Sequence, residues 1–237
     1  MTQTLWTDRE DVDDGRRRSA RRVVLVAFVV AVLAVGAWAI AFSSVLGAKR
    51  VVVHGAHQVS AASVRAAGAV PDGAPLLRLD TGAVASRIEA LPMVASARVR
   101  VSYPSTVVIT IRERVAVGYL SVGNSALLVD KTGKQFRTVR AVPHALPRFD
   151  LPTGALAAPT GQAVATVAGS LTPALLAKLK SITATNPLSI TLLLTDGRTV
   201  RWGSSERSVD KARVLPALLT RPGILFDVSD PDVVVAR

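Results

Sequence analysis

The longest apolar stretch of the chain lies close to its amino terminus. The twenty residues from Val23 to Phe42 contain no charged residue and no proline. At a rise of about 1.5 Å per residue, a helix of this length spans about 30 Å, the hydrocarbon thickness of a bilayer. A cleavable signal peptide usually has a shorter apolar core, of about 7–15 residues. The pattern therefore predicts an uncleaved transmembrane helix over residues 23–42.

Basic residues flank this predicted anchor unequally. Arginines are concentrated on its amino-terminal side, whereas only Lys49 and Arg50 follow closely on the other side. Because basic flanks stay in the cytoplasm, the bias predicts a cytoplasmic, disordered tail over residues 1–22 and export of the chain beyond the anchor. The arginines that would set this topology are Arg16, Arg17, Arg18, Arg21 and Arg22.

The first exported block predicts a small sheet with two helices. Residues 49–53 form a β-branched run, and capping residues then bracket a short helix over residues 60–68. A second helical pattern runs from residue 80 to the proline at position 92. Alternating residues on both sides of a turn at residues 103–105 predict a hairpin. The predicted order is β-α-α-β-β, with one sheet face under the helices and the other basic and exposed.

The second block, from about Val115, has mostly strand patterns. Asp196-Gly197 between two apolar runs predicts a hairpin. Residues 141–173 are rich in proline and glycine, which predicts a loop over much of that segment. Thr172-Pro173 predicts the start of a helix. Its buried face would consist of Leu175, Leu176, Leu179 and Ile182. Further patterns predict a helix over residues 208–219 and strands over residues 224–228 and 233–235.

Charge narrows the classes of partner. The chain has 29 Lys and Arg against 17 Asp and Glu, and the part beyond residue 22 keeps 23 of the basic and 12 of the acidic residues. Such an excess attracts anionic lipid or anionic cell-wall polymer, although scattered charges also serve solubility alone. Nucleic acid is not expected, because the basic residues are not interleaved with stacking aromatic residues. With no cysteine, disulfides and thiolate chemistry are excluded.

Two short motifs resemble catalytic elements of penicillin-binding proteins. Residues 208–211 fit S-x-x-K and residues 131–133 fit K-T-G. Their order is the reverse of that in the enzymes, and no S-x-N motif occurs, so a helix start and a turn are the preferred interpretations. The histidines His54, His57 and His144 suggest neither a metal site nor a catalytic triad. No enzyme, cofactor or metal is predicted.

The whole order resembles the FtsQ/DivIB family of bacterial cell-division proteins. The most specific residues are Val129-Asp130 with Gly133, then Leu194 to Arg198 followed by Trp202-Gly203, and the closing Phe226-Asp227-Val228 with Pro231-Asp232. The resemblance implies an α+β protein. It would have an N-terminal transmembrane helix, a POTRA-like β-α-α-β-β domain over residues 48–115 and a mainly antiparallel β-domain with flanking helices over residues 116–237.

The resemblance also implies a role as a septal scaffold in the cell membrane. It would recruit and regulate peptidoglycan synthesis by holding small bitopic partners of the FtsB/DivIC and FtsL types. The terminal β-branched run could form an edge strand that accepts a partner strand, or an ordinary core strand. The predicted partner-binding residues are Asp227, Val228, Ser229, Asp230, Asp232, Val233, Val234 and Val235. The alternative is a wall-active or wall-polymer-binding module.

Overall fold

The computed structural model describes residues 24–36, 47–142, 145–232 and 235–236. A helix, α1, covers residues 24–36 within the predicted anchor, whose other residues lie outside these ranges. Across the described ranges, no helix combines the length and the apolarity that a bilayer crossing requires. The anchor over residues 23–42 stays a prediction.

The chain folds as two compact units, one centred on residues 60–88 and 97–111 and the other mainly on residues 112–237. The first contains the predicted β-α-α-β-β order. Its three strands follow the spatial order β1-β3-β2, with β1 parallel to β3. The elements are β1 (Arg50–His54), α2 (Ala61–Gly68), α3 (Thr81–Glu89), β2 (Val94–Ser102) and β3 (Thr106–Glu113).

Caps and close packing explain the two helices of this unit. The Ser60 hydroxyl accepts a hydrogen bond from the backbone N–H of Ser63 at 3.0 Å and so caps α2. Ala69 ends that helix in the left-handed conformation, with φ of 45°. A Cβ at Gly68 would lie 3.3 Å from Ile88, so glycine allows α2 and α3 to approach closely. Val64 and Ile88 are fully buried.

The second unit is built on a nine-stranded sheet of mixed direction. Its spatial order is β12-β11-β10-β9-β8-β7-β4-β5-β6. Most neighbours are antiparallel, whereas β4–β7, β7–β8 and β10–β11 are parallel. The strands are β4 (Ala116–Val122), β5 (Ser125–Asp130), β6 (Gln135–Val139), β7 (Arg148–Asp150), β8 (Leu179–Ala184), β9 (Ile190–Leu194), β10 (Thr199–Gly203), β11 (Leu225–Asp227) and β12 (Val235–Ala236).

The helices of this unit differ from two sequence predictions. The segment predicted as loop contains the helix α4 (Ala157–Ser170), whose buried residues include Val164 and Val167. The helix predicted to extend from Thr172 is only the single turn α5 (Pro173–Leu176). Its expected later residues instead form β8, because they pair with β7 and β9. The last helix, α6 (Ser208–Leu218), contains Pro216.

A buried ion pair anchors the start of the second unit. The guanidinium of Arg114 contacts the carboxylate of Asp130, and both side chains are almost wholly buried. Arg114 also donates to the carbonyls of Pro92 at 3.0 Å and Val94 at 2.6 Å. Burial opposes ionisation of Asp130, but hydrogen bonds from Thr132, Arg114 and nearby backbone amides outweigh it and hold its pKa below the usual value.

Candidate functional site

The last strands build one end of the nine-stranded sheet. β11 lies parallel to β10, with Phe226 opposite Val200 and Asp227 opposite Arg201. Helix α6 forms the crossover connection that the parallel strands β10 and β11 require. Phe226 and Val228 are fully buried. These two side chains therefore fix β11 to the core and leave the next strand at the periphery.

Among the strands of the described residues, β12 is the outermost at this end. It pairs antiparallel with β11, Ala236 with Phe226 and Val235 with Asp227, and it is last in the strand order. An edge strand uses the N–H and C=O groups of one side only in its ladder. The opposite side of its backbone can therefore hydrogen bond to an added strand.

Aspartates order the turn between β11 and β12. Asp227 Oδ1 accepts a hydrogen bond from the backbone N–H of Ser229 at 2.9 Å. Asp230 Oδ1 does the same for Asp232 at 3.0 Å. Side chains that bond their own backbone two residues on form Asx turns. The exposed residues of this turn therefore follow a defined path beside the edge.

Arg207 joins the turn to the start of α6. It donates to both carboxylate oxygens of Asp232, at 2.8 and 3.1 Å, and lies 3.9 Å from Asp230 Oδ1. The guanidinium holds the pKa of Asp232 below its usual value, and hydrogen bonding to Asp232 raises the pKa of Arg207. Both side chains are more than half exposed. The pair therefore positions the turn more than it stabilises the fold.

Gly203 lets the turn approach β10. Its φ is +75°, and a Cβ at this position would lie 3.1 Å from the Cβ of Ser229. Glycine satisfies both requirements at once, the left-handed backbone and the close contact. Alongside it, Arg201 Nη1 lies 3.6 Å from Asp227 Oδ2.

A buried lysine stabilises the loop that follows β10. Lys211 is 2 % exposed, and its Nζ donates to the carbonyls of Trp202 and Ser204, each at 3.0 Å. Trp202 Nε1 donates to the hydroxyl of Ser208 at 3.2 Å, and that hydroxyl donates to the Ser205 carbonyl at 2.7 Å. Burial lowers the pKa of Lys211. The serine and lysine of the S-x-x-K pattern thus hold the loop after β10.

The other motifs with catalytic or metal-binding residue types also have structural partners. In the K-T-G pattern, Thr132 donates its N–H and hydroxyl to Asp130 in the turn after β5. Lys131 and Ser208 line one pocket of about 380 Å³. The backbone N–H of His57 donates to Glu113 at 2.7 Å. Among the residues described, no three His, Asp or Glu side chains lie close enough together to hold a metal ion.

The structure places most of the predicted partner-binding residues at this one edge. Ser229, Asp230 and Asp232 are exposed, whereas Val228 is buried, so only its backbone could contact a partner. Val233 and Val234 lie outside the described residues, as do the five arginines predicted to set topology. The final strand is β12, two residues long and starting at Val235.

Sequence reasoning missed three side chains at this edge. Ile224, directly before β11, is 77 % exposed, and Leu225, its first residue, is 36 % exposed. The role of Arg207 was not apparent because the turn carboxylates that it contacts, Asp230 and Asp232, lie about 25 residues further along the chain. The concentration of aspartates at positions 227, 230 and 232 was the available signal for a nearby cation.

Comparisons with known proteins match both units. Residues 46–114 match the family model for the FtsQ-type POTRA domain, and residues 118–233 match that for the C-terminal part of the cell division protein FtsQ/DivIB. The cell division protein FtsQ of Mycobacteroides abscessus is 39 % identical over 213 residues, covering 90 % of this chain and 68 % of that protein. FtsQ of Streptomyces venezuelae is 36 % identical over 226 residues, covering 91 % and 83 %.

Among solved structures, a domain of a division protein aligns with part of the chain. It is the major extracytoplasmic domain of the trans isomer of DivIB from Geobacillus stearothermophilus, with 18 % identity and a TM-score of 0.35. The alignment covers 46 % of this chain and 92 % of that one. The two domain matches and the FtsQ relatives, taken with the fold, confirm the resemblance read from the sequence: the chain belongs to the FtsQ/DivIB family of cell-division proteins.

Proposed function

We propose that this protein is a single-pass membrane scaffold of the division machinery. Residues 23–42 anchor it, the arginines before them keep the amino terminus in the cytoplasm, and both folded units lie outside the membrane. Membership of a family of division-site membrane proteins supports this arrangement. The POTRA-like and β-domain limits are proposed at residues 48–115 and 116–237.

The exported scaffold acts by accepting a strand from a bitopic partner of the FtsB/DivIC or FtsL type. The observation that carries this proposal is the position of β12 at the end of the sheet. Backbone hydrogen bonds along such an edge supply affinity, and the side chains beside it supply selection. The exposed Ile224 and Leu225 offer apolar contacts next to the edge. Captured partners would link the anchor to septal peptidoglycan synthesis.

A pair of matched charge substitutions tests this mechanism. Val234→Asp introduces a carboxylate next to β12, and Thr138→Asp introduces one on the exposed face of β6 at the other end of the sheet. Co-purification of FtsB/DivIC-like and FtsL-like partners with the full chain is measured for each. We expect Val234→Asp to abolish capture while the melting temperature is unchanged, and Thr138→Asp to retain capture. Equal capture by both variants would contradict an interface at β12.

A further inference from the structure

The segment that follows the predicted anchor enters the N-terminal unit between two loops. The backbone N–H of Ala48 donates to the Ala74 carbonyl at 2.9 Å. On the other side, the N–H of Lys49 donates to the Ser105 carbonyl at 2.8 Å. The loop around residues 73–78 and the turn at residues 103–105 therefore flank the point of entry. We call these two loops, residues 47–50 and the adjoining end of β2 the entry end.

Two large apolar side chains are exposed at the entry end. Leu77 and Tyr103, one in each flanking loop, are both 56 % exposed. Both side chains lie at the same end of the unit, where covering them would remove apolar area from water. Tyrosine in particular is suited to a boundary where one end of its ring is apolar and its hydroxyl stays hydrated.

The entry end also carries exposed charged residues. The exposed basic residues at the entry end are Lys49, Arg50, Arg78 and Arg100, and the exposed acids nearby are Asp72 and Asp80. Among the strands β1, β2 and β3, the acidic residue is Glu113, at the final position of β3. Its carboxylate accepts three backbone hydrogen bonds from residues 57–59. The entry end therefore has a net positive charge next to its apolar side chains.

The chain itself limits how far this surface can lie from the bilayer. Arg50, at the start of β1, lies eight Cα-to-Cα steps after Phe42, the end of the predicted anchor. A fully extended chain spans at most about 3.6 Å per residue, so the tether reaches about 29 Å. An unanchored surface would meet lipid by chance, whereas this one is held within a few nanometres of it.

We propose that the entry end of the N-terminal unit binds the outer surface of the anionic membrane in which the chain is anchored. Leu77 and Tyr103 insert at the level of the headgroups, where amphipathic rings are favoured. The exposed cations of the entry end bind the phosphates of anionic lipids. The inference rests on the proposed anchor at residues 23–42. Its consequence is a fixed height and orientation for the sheet relative to the bilayer.

Single-cysteine labelling of the full chain tests the contact, because the native sequence has no cysteine. Ser102→Cys places a fluorophore at the entry end, at the last residue of β2. Thr110→Cys is the matched control, since Thr110 pairs with His54 at the far end of β1. Thr110 lies four residues beyond Thr106, which pairs with Arg50 at the entry end. At about 3.3 Å per residue, the control site is therefore about 13 Å further along the sheet. Each labelled chain is placed in nanodiscs containing a headgroup-nitroxide lipid, with or without phosphatidylglycerol.

In discs containing phosphatidylglycerol, we expect the nitroxide to quench the Ser102→Cys label at least about twofold more than the Thr110→Cys label. The difference should disappear in discs of phosphatidylcholine alone, because the headgroup charge is removed. It should also disappear when Leu77→Ser and Tyr103→Ser are added. Circular dichroism checks that the double variant, altered only at exposed side chains, keeps its fold.

Equal quenching at the two sites in discs containing phosphatidylglycerol would overturn the proposal while leaving the anchor intact. Protection of the entry end by purified wall polymer, without quenching by lipid, would also overturn it and assign the surface to polymer. If the chain fails to remain in the nanodiscs, the anchor itself is wrong and the membrane contact fails with it. Retention of the chain is scored separately by size-exclusion chromatography, so the two failures are distinguishable.

Discussion

At the scale of single residues, the interior and the edge of the second unit use ion pairs in opposite ways. Arg114 and Asp130 are almost completely buried and share their hydrogen bonds with backbone groups. Arg207 and Asp232 are largely exposed and face solvent. Loss of one partner from a buried pair leaves an uncompensated charge, whereas an exposed pair contributes little to stability. Loss of Arg114 should therefore cost far more stability than loss of Arg207.

Removal of Arg114 should strongly destabilise the second unit. Arg114→Met leaves the Asp130 carboxylate buried without its cation, and we expect a loss of about 3–5 kcal/mol in the free energy of unfolding. Chemical denaturation measures it. Arg148→Met is the matched control, because it removes an exposed pair with Asp150 and should lower stability by less than about 1 kcal/mol. Similar losses for both variants would contradict the role given to burial.

The same pair predicts a dependence of stability on pH. The folded-state pKa of Asp130 is lower than its pKa in the unfolded chain, which is about 4. Ionised Asp130 therefore contributes its full stability above about pH 4. That contribution should be lost as the pH falls through the lowered folded-state pKa. Asp130→Asn should flatten the acid limb of a plot of unfolding free energy against pH. An acid limb as steep as in the native chain would show that other carboxylates control it.

Breaking the exposed pair should affect partner capture and leave stability unchanged. Arg207→Met frees the turn that carries Asp230 and Asp232, and we expect capture to weaken about tenfold because the edge must then be ordered on binding. The affinity of the purified full chain for its partners measures this. Arg213→Met, which removes a contact with Asp210 only, serves as the control. If capture is equal for both variants, the turn does not contribute to the interface.

At the scale of elements, the turn between β11 and β12 makes a close contact with the end of β10. Gly203 and Gly197 both have positive φ, but only a Cβ at Gly203 would crowd another residue, Ser229. Gly197→Ala should therefore show conformational strain alone, about 1 kcal/mol. Gly203→Ala should destabilise further and also weaken partner capture. If Gly203→Ala and Gly197→Ala lose equal stability and both capture partners normally, the proposed contact between the turn and β10 is contradicted.

Elements with strong local patterns were predictable from sequence. The β-α-α-β-β order and the hairpin at Asp196-Gly197 follow from alternation, caps and turn residues, and the structure contains them. Helix α4 was missed because its glycines and Pro159 lower its local propensity. A Cβ at Gly169 would lie 2.7 Å from the Cβ of Lys131, so close tertiary packing selects this helix.

The residues of β8 were predicted as the continuation of a helix, for a different reason. Leu175, Leu176, Leu179 and Ile182 have helical spacing, which local reasoning takes as one face of a helix. The chain instead leaves α5 after one turn and places Ile182 opposite Phe149 in a parallel pair. Pairing with strands on both sides overrides the local pattern. The aspartates at positions 230 and 232 indicated a nearby cation, but local pattern could not identify it as Arg207, about 25 residues away.

For the whole chain, the proposed function places the two folded units outside the cytoplasm. An enzyme that works only after export, fused to the carboxyl terminus, should therefore be active in the native chain. Replacing Arg16, Arg17, Arg18, Arg21 and Arg22 with glutamine should reduce that activity, because the bias that sets topology is lost. Activity of a cytoplasm-specific reporter at the same position would contradict the proposed topology.

The most direct measurement of the central claim is cysteine cross-linking between β12 and a partner. Ala236→Cys gives the otherwise cysteine-free chain one thiol on its terminal strand, and Thr138→Cys on β6 is the control. Each is combined with single cysteines scanned along the extracytoplasmic segment of an FtsB/DivIC-like partner. Strand addition predicts disulfides at alternate partner positions for Ala236→Cys and none for Thr138→Cys. A pattern repeating every three to four residues, or cross-links to β6 alone, would contradict it.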